Sequence, residues 1–291
     1  MVRIEQGGIM QHCIAYFSPA GSTRRVAERV QHVLQNQKIQ PQVFDLSRQG
    51  QEATHKTLAT LTCSADEPCL LWVGSPVYCD HALPPLMEQL ASLPAHLQGY
   101  SVPFVTWGGV CSGLALPEMA ALLVQKNLPP LAAAKVLAEH SSTWDAPEPW
   151  AAGRPHEEDL VLVDRLVAEV LQQVQTGTVH PLDLHRLEYL SSTQRADAAL
   201  KSLPKAKTAV GTPRADEGLC TQCGECEQAC PTGAMGLQPW PLVQPELCIL
   251  CQQCVRHCPE QAFPHDGAQA VQRCANMAAA SDEGKVTAVF Y

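Results

Sequence analysis

Apolar positions in the first 175 residues alternate between two rhythms. Residues 12–17 are a short apolar run of strand formers, after which Val26, Val30, Val33 and Leu34 recur at helical spacing with Arg24, Arg25, Glu28 and Arg29 mainly between them. The same alternation predicts a strand at 42–46, a weaker helix at 53–61, a buried strand at 69–74, a helix at 85–93, a strand at 102–107 and a helix at 117–126. Pro76, Val77 and Tyr78 are expected to break the third strand. Residues 131–140 read as a fifth strand, although their alanines also suit a helix. The last clear helix is 157–175, apolar at Leu160, Val163, Val167, Val170, Leu171 and Val174. Five strands alternating with helices predict an α/β fold built on a doubly wound, five-stranded parallel sheet.

The rhythm then stops. Residues 176–217 are rich in Thr, Ser, Pro, Lys and Ala without a sustained apolar period, and read as a linker in which 185–190 forms a short docking helix. Residues 268–280 are alanine-rich and expected to be helical, and 286–291 are apolar enough to pack back on another part of the chain.

Between these stretches one pattern occurs twice, C-x-x-C-x-x-C-x-x-x-C-P. The first copy is Cys220, Cys223, Cys226, Cys230 and Pro231; the second is Cys248, Cys251, Cys254, Cys258 and Pro259. Three thiolates three residues apart on one tight loop converge on three corners of an iron–sulfur cube, and in the bacterial pattern the last cysteine of each copy ligates the other copy's cluster. Cys220, Cys223, Cys226 and Cys258 are therefore assigned to one [4Fe-4S] cluster, and Cys248, Cys251, Cys254 and Cys230 to a second. Structural zinc would also use four cysteines per site, but its modules usually show separated C-x-x-C pairs. A disulfide framework needs a secreted context, which the sequence does not display.

Length and charge narrow the context. At 291 residues the chain has room for about two domains. With 46% hydrophobic and 17% charged residues it has an ordinary globular composition, and a formal charge of −9 argues against a nucleic-acid or anionic-membrane surface. No apolar run reaches about 18 residues, and residues 1–11 lack the basic and apolar regions of a signal peptide. The expected location is the cytoplasm. Oxygen-labile clusters and six further cysteines favour a reducing, anaerobic one.

In doubly wound sheets ligands bind beyond the carboxyl ends of strands, near the switch point. Three loops meet that description: residues 18–23, 75–80 and 106–113. The first, Ser18, Pro19, Ala20, Gly21, Ser22 and Thr23, joins a strand to a helix whose unpaired N–H groups and dipole suit a phosphate; an ordinary helix cap is the alternative. Tyr78 and Trp107 either flank a flat ring or fill partly buried positions. Gly108, Gly109 and Gly113, beside Thr106, either make turns or bring backbone N–H groups close to a ligand. Cys79 and Cys111 lie in these loops as packing thiols or redox groups, whereas Cys13, Cys63, Cys69 and Cys274 read as packing residues. His140 and Arg154 either face a ligand or satisfy their own neighbours.

Two resemblances follow. Residues 217–265 resemble a bacterial two-cluster ferredoxin, with Cys-Pro-Thr-Gly-Ala at 230–234 close to that family's wording and Cys-Pro-Glu-Gln-Ala at 258–262 departing from it. The 18–23 loop resembles the T-x-T-G-x-T phosphate loop of flavodoxins, with Ala20 removing one hydroxyl; no G-x-G-x-x-G marks a dinucleotide site. The whole is similar to the fusion family joining an N-terminal flavodoxin-like domain to a C-terminal two-cluster ferredoxin. Pro76-Val77-Tyr78, Trp107-Gly108-Gly109, Glu139-His140-Ser141 and Gly153-Arg154-Pro155 also carry that likeness. It implies a flavodoxin-like, FMN-binding domain at 1–178, a linker at 179–216, a smaller α+β two-[4Fe-4S] domain at 217–265 and a packing extension at 266–291.

The implied FMN-binding residues are Ser18, Ala20, Gly21, Ser22, Thr23, Pro76, Val77, Tyr78, Thr106, Trp107, Gly108, Gly109 and Gly113. The expected function is relay of single electrons between the clusters, the FMN and a redox partner protein. That partner would meet an acidic face, because residues 217–265 hold Glu217, Glu225, Glu227, Glu246 and Glu260 against Arg256 alone. The alternatives are an FMN-dependent reductase with its own small substrate, using His140 or Arg154, and a redox sensor or assembly subunit with a vestigial flavin pocket.

Overall fold

The computed structural model describes residues 10–47, 58–61 and 68–291. Residues 53–57 of the expected weak helix, Cys63, and residues 1–9 lie outside them; Leu58–Thr60 is a single 3-10 turn.

The strands and helices of the first half follow the alternation in the sequence. They are β1 (Gln11–Tyr16), α1 (Ser22–Asn36), β2 (Gln42–Asp45), β3 (Cys69–Tyr78), β4 (His81–Ala82), α2 (Pro84–Ala91), β5 (Gly99–Trp107), α3 (Ala115–Gln125), β6 (Ala133–Leu137) and α4 (Glu157–Thr176). Strand order is β2-β1-β3-β5-β6, all parallel, which is the flavodoxin-like order. Side chains alternate across the sheet: Ile14, Trp72, Val102, Phe104 and Val136 meet α1 and α4 through Val26, Val30, Val163 and Val167. Ala15, Leu71, Val73 and Val105 meet α2 and α3 through Leu86, Leu90, Met119 and Leu123.

Pro76-Val77-Tyr78 does not break β3. β1 stops pairing at Gly74, while β5 continues to pair through Ser75 and Pro76, and Val77 and Tyr78 pair with β4. Past Gly74 one side of the strand is an edge, so a residue without an N–H is tolerated there. The ambiguous stretch 131–140 holds a strand, β6, because its alanines lie between two covered faces.

The second half holds more structure than its composition suggested. After a 3-10 turn at Leu184–Leu187 come α5 (Ser192–Leu200) and α6 (Leu203–Val210), then α7 (Glu225–Gln228), β7 (Met235–Leu237), β8 (Pro241–Val243), α8 (Gln253–Arg256), α9 (Gly267–Ser281) and β9 (Ala288–Phe290). β7 and β8 form a two-stranded sheet of their own. β9 pairs antiparallel to β6, so the C-terminus packs on the edge of the large sheet.

Leu182, Leu187 and Leu203 of the connecting segment are buried in the α2/α3 face of the core, as are Ile249 and Cys251 of the second cysteine repeat. Each fully buried aliphatic side chain contributes about 1.5–3 kcal/mol. The segment is thus ordered along the α/β domain. The ring of His81 reaches the α5 C-terminal carbonyls of Ala198 and Lys201, each at 3.1 Å, and Lys201 pairs with Asp80 at 2.7 Å.

Candidate functional site

Each cysteine repeat winds through the same unusual backbone. In the first copy Gln222 and Gly224 take positive φ (59° and 83°), and in the second Leu250 and Gln252 do so at the equivalent positions (57° and 60°). Two left-handed residues flanking the second cysteine curl the chain tightly enough for three thiols to face inward. The departure at 258–262 keeps this geometry: Gln261 adopts φ 50° where the first copy has Gly233 at 65°.

The thiols gather in two sets that cross the repeats. Cys258 of the second copy lines the same small cavity as Cys220, Cys223 and Cys226, closed by Leu237, Pro241 and Phe263. Cys230 of the first copy lies within electrostatic range of Cys248, Cys251 and Cys254. Burial, and then these neighbouring thiols, pushes Cys251 up to about 12 and raises Cys254 as well. Thiols that ionise so reluctantly alone become ligands when a cation offsets the crowded charge, so the donor set fits a metal cluster. The Leu250 N–H to Cys248 Sγ contact (3.4 Å) and the Ala262 N–H to Cys258 Sγ contact (3.3 Å) are of the kind that tunes cluster potential.

The three strand-end loops also converge. At the first, the Ser18 hydroxyl is buried and accepts the Arg24 N–H at 2.9 Å, and the Thr23 hydroxyl bonds that of Thr106 at 2.7 Å. These two hydroxyls serve the protein itself. Ala20, Gly21 and Ser22 remain partly exposed at the N-terminus of α1, where Gly21 has φ 93° and no side chain caps the helix. A Cβ added at Gly21 would meet no atom within 4 Å, so the space beside this residue is open. The Arg24 guanidinium pairs with Asp45 while its buried Nε–H has no partner. Open amides and an orphaned donor fit a phosphate.

At the second loop Pro76, Val77 and Tyr78 are partly buried. The Tyr78 hydroxyl is sealed from solvent beside Ser141 without forming a hydrogen bond, and burial, with Cys251 next, raises its pKa. At the third, Trp107 is 1% exposed, its indole N–H has no acceptor, and Lys135 Nζ lies 4.9 Å from its ring centroid. Both aromatic residues therefore present an unsatisfied polar atom near these loops. The glycines approach protein: a Cβ on Gly113 would fall 2.0 Å from the Asp80 carbonyl oxygen, and one on Gly108 2.5 Å from His140 Cδ2. Gly109 has φ 67° beside Trp150.

The remaining polar candidates are engaged. Arg154 Nη1 donates to both carboxylate oxygens of Asp159 at 2.8 and 2.9 Å. Burial holds His140 down to about 4, and its Nδ1 accepts the Ser142 hydroxyl at 2.9 Å. Burial, then Asp80, raises both Cys79 and Cys111, the latter to about 12, so both are thiols near neutral pH. What sequence reading missed is a buried group around Lys135, Glu283, Ser112 and Tyr189, which joins segments too far apart to share any motif.

A model of the 4Fe-4S binding domain matches residues 213–235 and 241–263. The similar solved structures include a flavodoxin from the domain Archaea, with a TM-score of 0.41 and 19% identity over 57% of this chain and 99% of that one. They also include rubredoxin oxygen:oxidoreductase from Desulfovibrio gigas (0.41, 14%, 60% of this chain and 38% of that one). A third is an apo NADH:FMN oxidoreductase (0.38, 20%, 55% and 89%). No match was found among curated proteins. The chain therefore joins a flavodoxin-like α/β domain, defined by its strand order, to a ferredoxin-type 4Fe-4S domain. Among the described residues no helix is long and apolar enough to cross a membrane.

Proposed function

We propose that the chain holds two [4Fe-4S] clusters and one FMN and relays single electrons between them and a redox partner protein in an anaerobic cytoplasm. The observation that carries this reading is the contact between the modules. Ile249 and Cys251 of the second repeat are buried in the α/β core, and Cys251 lies beside Tyr78 of the second loop. Bound clusters exchange one electron each and a flavin one or two, so the pair converts between the two kinds of chemistry. In this reading residues 1–178 bind FMN, 179–216 connect, 217–265 hold the clusters and 266–291 pack back.

The cysteines have distinct stations. Cys248, Cys251, Cys254 and Cys230 form the inner set, against the α/β core. Cys220, Cys223, Cys226 and Cys258 form the outer set, where Cys223 is exposed; exposed Leu219 (54%) precedes Cys220, and exposed Leu242 (71%) follows Pro241 of the same cavity. Glu217, Glu225, Glu227 and Glu260 are exposed in the same module, which suits a partner with a basic rim and an encounter that weakens as salt rises. The α1 N–H groups at Gly21, Ser22 and Thr23 hold the FMN phosphate. Arg154 and His140 are committed to Asp159 and Ser142, which leaves them poor proton donors for a separate substrate.

Anaerobically purified protein is expected to carry about eight irons and eight acid-labile sulfides, with one non-covalent FMN. Gly21→Asp should abolish flavin binding, because its carboxylate repels the phosphate. Zinc in place of iron would refute the cluster reading, and undiminished flavin in the variant would refute the phosphate site.

A further inference from the structure

We infer that Lys135 and Glu283 form a charge-balanced latch through which the C-terminal tail positions the β5–α3 loop and sets the flavin potential, with Glu283 as the positioning residue. The inference rests on the FMN reading above. Both side chains are 6% exposed, and Lys135 Nζ pairs directly with Glu283 Oε1. Glu283 also accepts the Ser112 backbone N–H at 2.7 Å and the Ser112 hydroxyl at 2.6 Å. Tyr189 meets that hydroxyl at 3.1 Å and places its ring 4.4 Å from Lys135 Nζ. Trp107 offers its ring to the same ammonium group at 4.9 Å, and two aromatic faces favour the charged lysine.

Ser112 lies between Gly109 and Gly113, both at positive φ, so the loop has freedom that Glu283 removes. The tail is pinned on either side of Glu283. The Ser281 hydroxyl donates to the Val110 carbonyl, the Leu137 N–H donates to Thr287 Oγ1 at 2.9 Å, and β9 pairs with β6. The tail thus ties the β5–α3 loop to β6. It holds one cofactor loop fixed with no net buried charge.

Removing one partner leaves the other charge uncompensated in a low-dielectric site. A lone Lys135 favours the reduced, more negative flavin, and a lone Glu283 disfavours it. Flavin midpoint potentials of full-length, cluster-loaded protein, measured anaerobically by dye-coupled titration, should therefore rise in Glu283→Gln, fall in Lys135→Met and return near wild type in the double variant. Amide exchange at Ser112 should quicken in Glu283→Gln. A purely structural tail would loosen the loop in both variants and move the potential in one direction or not at all; either result overturns the latch. If Lys135→Met does not fold, Glu283→Gln alone must still raise the potential and Glu283→Asp restore it, and failure of either refutes the proposal. Wild-type protein that retains no flavin sinks the FMN reading and the latch together, whereas bound flavin with unmoved potentials sinks the latch alone.

Discussion

Ile249→Ala tests whether the two modules work as one. Ile249 is 4% exposed and buried among residues of the α/β core although it stands in the second cysteine repeat, directly after Cys248. Truncating a buried isoleucine to alanine costs about 2–5 kcal/mol, part of it transfer and part the cavity left behind. Because this side chain spans the two modules, most of that cost falls on their docking and little on either core. At about 1.4 kcal/mol per tenfold change, even 2 kcal/mol shifts the docked-to-open ratio by roughly 30-fold.

Stopped-flow reduction of the flavin through the clusters, under strict anaerobiosis, should become slower and biphasic in Ile249→Ala. Ile249→Val, which costs about 0.5–1.5 kcal/mol, should fall between the variant and wild type. Iron content is measured on the same samples, so a lost cluster is told apart from a lost contact. Fully loaded Ile249→Ala protein that reduces its flavin at the wild-type rate would refute the claim that this contact carries the relay.

Cys258→Ser should first damage the cluster held by Cys220, Cys223 and Cys226, seen as loss of about half the iron together with retained signals from the inner cluster. Gln261→Gly should raise stability by about 0.5–1 kcal/mol in denaturant unfolding, because it relieves a left-handed non-glycine residue at some entropic cost. Stability should also fall as pH drops from about 6.5 toward 4. Burial depresses His12 and His140 to about 4, so in that window the unfolded chain binds protons that the folded chain refuses. Thermal melts across the window check this, and a flat profile would refute it.

The sheet was legible because covered parallel strands and their helices carry long apolar rhythms that one side chain does not disturb. The 4Fe-4S domain was legible because its repeated cysteine spacing is local. Pro76 misled because a strand edge is a property of the neighbours: only the early stop of β1 makes a proline acceptable there. α5 and α6 were missed because each buries a single side chain, Ala198 and Leu203, which leaves no apolar period to read. Their starts are fixed by Ser191 and Ser202 caps, a signal that a capping search at 191–194 could have found. β9 has three residues and gains its identity from the free edge of β6. Lys135 and Glu283 illustrate the general limit, since a buried ion pair between positions 148 apart leaves no trace in a linear pattern.

The position of β9 changes how the cluster-bearing segment is held. On its N-terminal side Leu187 and Leu203 are buried in the core and His81 meets the end of α5; on its C-terminal side β9 adds to the sheet and Glu283 is buried. The segment between is therefore tethered at both ends, like a loop closed on the domain that it serves. A single flexible tether would only raise the effective concentration of one module at the other. Two anchored ends also remove most of the orientations that a docked module would have to give up, so a small contact such as Ile249 with Cys251 is enough to hold the inner set in place. Cys223 of the outer set remains exposed in this arrangement. β9 also covers an edge that would otherwise offer unpaired N–H and C=O groups to another chain. One terminal strand thus protects the sheet, closes the loop and carries Glu283 to the β5–α3 loop.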